Sequence, residues 1–557
     1  MKPQILIPMS GSGERFRRAG YRLPKPLIPV DGKPIIAHVA DLFPGEADFT
    51  FVCSEAHLVD PTLDLRRKLL AIRPKARIVP IAPHKLGPVH AALHAMPLLD
   101  PDRPTIINYC DFTNVWDWQD VLAFWRETDA DGIMPCYRGF HPHSLGSTFY
   151  AYVKTDGLWA LDIQEKQPWT DRPIDEFAST GTYGFRSARL AQEALEACVA
   201  QGLSTNGEFY VSLAYRPFLR TGRQVAVYEV PHFMQWGAPA DLEAWQDQAD
   251  GFRAALQPRG VSRPEGLVVL PAAGLGQRFA DAGYATPKPL LEVSGRPMIL
   301  QALDDLPPGE ETRVVLRRDM PGAAEIAAAL PAGATPVWLD SPTDGQARTV
   351  ALALKPGDAE RRLTIGACDG GLVYDRAALD AAMAGTDLLV WVKVGHTPAL
   401  ANPRAYGWIV GGTDTAPLRA VVKADPADRR AGVIVSAFTF RRAADFSRCF
   451  DRLVARDGRV RGEFYADSLV EDALALGLRV RTFPVLAWLC WGTPAEYETF
   501  RYWQRGLDLW PHHPYALRHD PRAAWPGREA AAPRLAPAPR PLAASIGAPV
   551  MAKDTKA

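Results

Sequence analysis

Short apolar runs alternate with longer amphipathic stretches along most of the chain. In the first half the runs include QILIP, FTFVC, ARIVPI, PTIINY and VAVYEV. Each has the length of a buried strand rather than of a helix. Between FTFVC and ARIVPI, the stretch HLVDPTLDLRRKLLAI carries its apolar residues at helical spacing. Strands alternating with helices predict an α/β fold, a mostly parallel mixed sheet with helices on both faces. In such a sheet ligands bind at the C-terminal ends of the strands.

The pattern occurs twice. PMSGSGERFRRAGYRLPKPL at 8–27 returns as PAAGLGQRFADAGYATPKPL at 271–290. Five further landmarks follow in the same order in both halves. Gly87 pairs with Gly345, Asp111 with Asp369 and Lys166 with Lys423. GEFYVSLAY at Gly207 pairs with GEFYADSLV at Gly462, and Trp236 with Trp491. The offset between partners drifts only from 263 to 255 residues, so the chain is a tandem duplication of one domain. The expected organisation is domain one over 1–257, a linker at 258–265 and domain two over 266–510. An Ala/Pro-rich tail over 511–557 is expected to be disordered, because it cannot bury enough apolar area to offset its ordering entropy. The duplication also allows the two copies to pack as an intrachain pseudo-dimer.

Composition narrows the function classes. Lys+Arg and Asp+Glu both number 63, so no global basic field exists to hold nucleic acid. No run approaches the roughly 18–20 apolar residues that span a bilayer. The N-terminal apolar run is too short for a signal-peptide core and is read as a first strand. Seven scattered cysteines without a CxxC pair point to reduced thiols and a cytoplasmic setting.

The chemistry concentrates at the duplicated turn. A glycine-rich turn after a first strand lets backbone N–H groups approach an anion. Neither copy has the Gly-Lys-Ser/Thr of a Walker loop, and Pro24-Lys25-Pro26 forbids the long helix of a dinucleotide fold. The chain instead returns to the turn as a stiff loop. Arg15 offers a planar fork and Lys25 a compact charge, which together suit a polyphosphate.

Gly-x-Gly-x-Arg, then Pro-Lys-Pro-Leu, then Gly-Lys-Pro-Ile (Gly-Arg-Pro-Met-Ile in the second copy) resembles the sugar-1-phosphate nucleotidyltransferase family. The resemblance covers both repeats nearly end to end. It implies two tandem Rossmann-like (GT-A-like) domains. It also implies an Mg²⁺-dependent reaction, in which a phosphate monoester attacks the α-phosphorus of an NTP and expels pyrophosphate. By that resemblance Gly11, Ser12 and Gly13, and Gly274, Leu275 and Gly276, cradle nucleotide phosphates. Arg15, Lys25, Arg278 and Lys288 neutralise the α-phosphate and the leaving pyrophosphate. Gly87 and Gly345 lie beside the base, and Asp111 and Asp369 hold Mg²⁺. Lys166 and Lys423 meet the acceptor phosphate, although Gln167 replaces the family's proline after Glu165-Lys166. The implied partners are an NTP and a phosphorylated small molecule.

The copies are not equal. The family's second metal-binding aspartate is read as Asp467, and its counterpart in repeat one is Ser212. Repeat one keeps Glu165-Lys166 where repeat two has Val422-Lys423. The histidine-rich CYRGFHPHSLGSTFYAY (136–152) and its counterpart WVKVGHTPALANPRAYGW (391–408) are expected to line acceptor pockets, which would then prefer different acceptors. Both sites are read as competent, making NDP-sugars for surface polysaccharide. The alternatives are cytidylyl transfer to a non-sugar phosphate such as phosphocholine or a polyol phosphate, one copy serving only as a nucleotide-binding regulator, and a glycosyltransferase. Against the last, the strands end in Asp-Phe-Thr and Asp-Gly-Gly rather than a DxD.

Overall fold

The computed structural model describes residues 2–146, 150–258, 260, 263–412, 418–428 and 430–523. Part of the expected linker, three residues of the 136–152 stretch and the tail from 524 onward lie outside the described residues. By contact the described chain divides between Pro239 and Ala240 into two units.

The first unit is built on a ten-stranded sheet. Its parallel half runs Thr105–Asn108, Gln4–Met9, Phe49–Ser54, Arg77–Ile81. Every residue of Gln4–Met9 is buried, so both faces of that strand are covered. Leu6 joins a cluster with Val52, Ile107 and the helix residues Val89, Ala92 and Ala95, while Ile5 and Ile7 are buried outside that cluster. Side chains alternate across a strand, so a second apolar layer lies on the other face. The other half is mixed. Thr182–Phe185 runs antiparallel to Thr105–Asn108, and beyond it come Gly132–Tyr137, Val225–Glu229, Trp159–Glu165, Ala151–Asp156 and Phe177–Ser179.

The second unit repeats this plan with nine strands. Ala334–Leu339, Glu311–Arg317, Leu267–Pro271 and Leu363–Ile365 form the parallel half. Leu267 and Val269 enter one buried cluster, Val268 and Leu270 another, so the two sheet faces carry separate cores. The strand count differs for a local reason. Phe177–Ser179 and Thr182–Phe185 are broken at Gly181 (φ 101°), whereas Gly432–Phe440 runs through its left-handed counterpart Ser436 (φ 56°) as one bent strand. The expected α/β architecture in two tandem copies is therefore observed.

The run WDWQD at 116–120 does structural work. The Asp117 carboxylate accepts from the backbone N–H of Gln119 and Asp120 and caps the helix Trp118–Thr128. Trp118 packs edge-on to Phe43 at 4.9 Å.

Two segments fall with the second unit although the sequence places them elsewhere. The helix Pro239–Ala255 belongs to the first repeat by sequence. Within the second unit, its Phe252 stacks on Phe500 at 5.6 Å and Trp245 meets Trp510 at 6.0 Å. Its Asp247 carboxylate accepts from the N–H and hydroxyl of Thr397. Residues 511–523, assigned to the tail by composition, are folded. Tyr515 is 2% exposed, and its hydroxyl bonds Asp520 and Gln504. Arg522 forms a buried bidentate pair with Asp520. The Ala/Pro bias of the chain end masked this aromatic anchor. Tyr515→Ala is expected to destabilise the second unit by about 3 kcal/mol, the cost of deleting a buried aromatic. A lower urea midpoint at an unchanged slope would confirm it.

Candidate active site

Each copy of the duplicated turn has the same backbone. The strand Gln4–Met9 leads to an exposed Gly11-Ser12 and a part-exposed Gly13, and Gly13 (φ 61°) opens the short helix Glu14–Arg18. Leu267–Pro271 leads in the same way to Gly276 (φ 66°) and the helix Gln277–Asp281. Phe16 and Phe279 are buried and fix these helices, leaving Arg15 and Arg278 exposed beside the turn. Tyr21 N–H donates to Phe16 O at 3.0 Å, and Tyr284 N–H to Phe279 O at 3.0 Å, turning the chain back.

The returning loop brings Lys25 and Lys288 to Asp111 and Asp369, expected at strand ends but found in the loops just beyond Thr105–Asn108 and Leu363–Ile365. Lys25 Nζ donates to Asp111 Oδ2 at 2.7 Å, and Lys288 Nζ to Asp369 Oδ2 at 2.5 Å. Lys288 also donates to the Gly492 carbonyl at 3.1 Å. Burial alone would push both lysines down. The facing aspartates prevail and hold them above the ordinary lysine value, while Arg15 and Arg278 pull the other way. Asp369 is also subject to burial, which would raise it, but Lys288 and Arg278 keep it below the ordinary range. The neighbouring thiols of Cys110 and Cys368 are pushed up to about 12 by burial and so remain protonated.

The tryptophan segments close the same corner. Trp236 N–H donates to Asp111 O at 2.7 Å, and Trp491 N–H to Asp369 O at 2.8 Å. Both indoles are buried, so their repetition reflects packing under the site. The Gly-x-Pro that follows puts Gly492 against Asp369: a Cβ there would lie 3.3 Å from Asp369 Oδ2. The sequence reading missed Gly492 as a lysine partner.

Gly87 (φ 87°) and Gly345 (φ 126°) have a packing reason of their own. A Cβ would lie 2.7 Å from Phe209 O in the first copy and 2.5 Å from Phe464 O in the second. Backbone hydrogen bonds lock this approach, from Phe209 N–H to Leu86 O and from Phe464 N–H to Asp344 O. The repeated GEFY segment therefore serves as a strap across the glycine.

Lys166 and Lys423 share an unusual backbone, at φ 61° and 53°. Each follows a strand, and their N–H groups donate to Tyr150 O and Tyr406 O. Left-handed lysine costs on the order of 1 kcal/mol, and both copies retain it. Lys166 Nζ lies 4.8 Å over the Tyr210 ring and 3.1 Å from its hydroxyl, which donates to Glu208 Oε2 at 2.7 Å. Lys423 Nζ lies 5.2 Å over Tyr465 and donates to Ala405 O. The repeated tyrosine of GEFY was a visible signal for this contact.

Asp467 does not share its charged partners with Asp369. Its neighbour is Lys423, and burial lifts its carboxyl to about 6. Ser212, its counterpart, donates from Oγ to Glu165 Oε2 at 2.6 Å, and burial raises Glu165 as well. Among the described residues no three His, Cys, Asp or Glu side chains form a metal cluster. His141 and His143 are held in an aromatic wall of the first copy. His141 Nδ1 is 2.7 Å from the Tyr150 hydroxyl, and Gln235 Nε2 is 2.8 Å from His143 Nε2. Burial and the neighbouring His143 and His232 keep His141 well below its ordinary value and hence neutral.

A glycine turn, an Arg and a Lys meeting a carboxylate just past a strand thus recur in both halves of this α/β chain. The sequence profile of the MobA-like NTP transferase domain matches residues 5–175 and again 268–428, and the chain belongs to that family. The nucleotidyltransferase resemblance read from the motifs thus holds for both repeats. The bifunctional protein GlmU of Burkholderia thailandensis is 34% identical over 107 residues, 19% of this chain and 22% of that protein. The Burkholderia mallei protein of the same name is 35% identical over the same shares. The chain therefore spans about a fifth of the length of these curated relatives. A nucleoside-diphosphate-sugar pyrophosphorylase from Vibrio cholerae RC9 aligns at 20% identity, covering 43% of this chain and 97% of its own, with a TM-score of 0.36. The inositol-1-phosphate CTP transferase from T. maritima aligns at 16%, over 43% and 91%, with a TM-score of 0.35.

Two outcomes check this geometry. Gly345→Ala is expected to destabilise the second unit by about 2 kcal/mol or more, since the new Cβ meets backbone that cannot yield; a thermal melt measures it. Lys288→Met is expected to cost about 2 kcal/mol at pH 7, by leaving the part-exposed Asp369 carboxylate without its partner. A carboxyl depressed in the fold stabilises above its unfolded value, and the gain is lost as pH falls through the folded value. The gap between wild type and Lys288→Met should therefore be widest near neutrality and shrink below about pH 4, as followed by urea unfolding at a series of pH values.

Proposed function

We propose that each copy transfers a nucleoside monophosphate from an NTP to a sugar 1-phosphate, releasing pyrophosphate and forming an NDP-sugar for polysaccharide assembly. The observation that carries this reading is the Lys–Asp pair at the mouth of the glycine turn, present in both copies. The match of the MobA-like NTP transferase profile to both repeats supports transfer from an NTP.

The reaction needs no covalent residue, because the acceptor phosphate oxygen is already a nucleophile. It attacks the α-phosphorus in line, the bond from that phosphorus to the bridging oxygen of the β-phosphate breaks, and pyrophosphate leaves. The N–H groups of Gly11–Gly13 and Gly274–Gly276 face the leaving phosphates. Arg15 with Lys25, and Arg278 with Lys288, carry the compensating positive charge. Gly87 and Gly345 border the base side, held by the GEFY strap. Lys166 and Lys423, fixed by their backbone and a tyrosine face, receive the acceptor phosphate and set the attack angle.

The donor set fits a hard divalent cation. Asp111 and Asp369 each lie just past a central strand, directly before the short strand that follows, with a carboxylate that is part-exposed beside the turn, at 23% and 29%. Mg²⁺ takes few protein ligands and keeps several waters, so one carboxylate and the substrate phosphates suffice. When bound there, it would neutralise charge on the α-phosphate.

The test is pyrophosphate release from the four NTPs against a panel of sugar and alcohol phosphates with Mg²⁺. Release with at least one pair is expected. Lys25→Ala and Lys288→Ala are each expected to lower one activity at least a hundredfold while leaving the other, on the scale of losing one transition-state contact. A single activity that survives Lys25→Ala in full would show that the first copy is not catalytic.

A further inference from the structure

Three positions on different elements change together between the copies. In the first unit, Ala151 lies opposite Glu165 in the strand register, and Ser212 Oγ donates to Glu165 Oε2 at 2.6 Å. In the second unit the corresponding register pair is Gly407 and Val422, and the residue at the Ser212 place is Asp467. A Cβ on Gly407 would lie 2.0 Å from Asp467 Oδ2. The φ of Gly407 is not left-handed, so glycine is needed there for room and not for backbone freedom. Asp467 therefore reaches over strand position 407, towards the end of the strand pair that Glu165 occupies from the other side in the first unit. Glu165 and Asp467 also share a neighbour, since each interacts with the left-handed lysine of its copy, Lys166 or Lys423.

The exchange keeps one carboxylate beside the lysine. Glutamate at 422 with Asp467 in place would crowd two like charges into buried space, and valine opposite serine would leave none. A purely structural gap has no need to keep a carboxylate while changing the element that carries it. A carboxylate beside a phosphate-binding lysine can accept hydrogen bonds from hydroxyls of the molecule whose phosphate the lysine holds.

We propose that Asp467 is an acceptor-binding group. It takes over in the second copy the hydroxyl-accepting position that Glu165 fills in the first, and its origin on a different element gives the copies different preferences among hydroxyl-bearing phosphate monoesters. The inference rests on the nucleotidyl-transfer reading. It moves Asp467 from the metal side, where the motif resemblance put it, to the acceptor side.

Pyrophosphate release tests this in full-length protein, with Lys25→Ala isolating the second copy and Lys288→Ala the first. In the second-copy background, Asp467→Ser is expected to raise KM for the best hydroxyl-bearing acceptor about tenfold to a hundredfold, the range for losing a hydrogen bond to a charged group. KM for the NTP and the Mg²⁺ activation constant should stay within twofold. Inhibition by methyl phosphate, which has no hydroxyl, should be unchanged. The triple variant Gly407→Ala/Val422→Glu/Asp467→Ser should recover acceptor KM and shift the acceptor ranking towards that of the first copy. Asp467→Asn, close in shape, guards against a folding defect; its melting temperature should match wild type while acceptor KM still rises. A raised NTP KM or Mg²⁺ constant with acceptor KM unmoved would overturn the inference, as would an unchanged acceptor KM in both Asp467 variants. Wild-type protein that releases no pyrophosphate with any pair would instead overturn the nucleotidyl-transfer reading itself.

Discussion

One ion pair ties each copy together. Lys25 and Asp111 are 86 residues apart in sequence, and Lys288 and Asp369 are 81 apart. The lysine sits between prolines, so its loop has little freedom to wander. The aspartate is pinned between a central strand and the short strand that follows it, so its carboxylate cannot retreat. Placing two charges in a half-buried corner is costly, and pairing recovers most of that cost only when the geometry holds. The glycine turn, the buried Phe16 or Phe279 and the tryptophan segment behind the aspartate are what hold it. The same arrangement leaves positive charge beside bare backbone N–H groups, which is the requirement for a polyphosphate.

The duplication separates what the backbone must do from what side chains can vary. Left-handed conformations recur at matched places: Gly13 and Gly276, Asp31 and Ser294, Lys166 and Lys423, Asn206 and Arg461. Several of these residues are not glycine, so each carries a small strain. Strain kept in both copies, through a change from Asn206 to Arg461 or from Asp31 to Ser294, marks backbone geometry that the fold or site depends on. The side chains of the 136–152 stretch and its counterpart at 391–408 show the opposite pattern. The first copy has neutral His141 against Tyr150, whereas the second has His396 3.6 Å from Asp247.

Much of this was legible in the sequence because it is local or repeated. The apolar runs gave the strands, and the recurrence of Gly-x-Gly-x-Arg with Pro-Lys-Pro gave the turn and its charges. Two tandem copies followed from the offsets. What could not be read was long-range. The link between Ser212 and Glu165 spans 47 residues and appears in sequence only as two unrelated differences between the repeats. The reason for Gly87 and Gly345 lies in Phe209 and Phe464, more than a hundred residues on. The helix Pro239–Ala255 reads as the end of one repeat, yet its buried Trp245 and Phe252 pack within the second unit. Periodicity reports which face of a helix is apolar, not what covers it.

Divergence at the gap near Lys423 illustrates a constraint on duplicated enzymes. A buried carboxylate cannot be moved in single steps without passing through a state with two or none. Adding Asp467 opposite an existing glutamate raises repulsion in a low-dielectric space, and removing the glutamate first abandons the lysine. Gly407 records the resolution, because only a residue without Cβ admits the aspartate from its new direction. A second copy of the site can cross such an intermediate while the first remains intact. The turn, its lysine and its aspartate persist in both halves and show no comparable rearrangement. Change has therefore gathered around Lys423, Gly407 and Asp467, and the turn with its ion pair has kept its geometry.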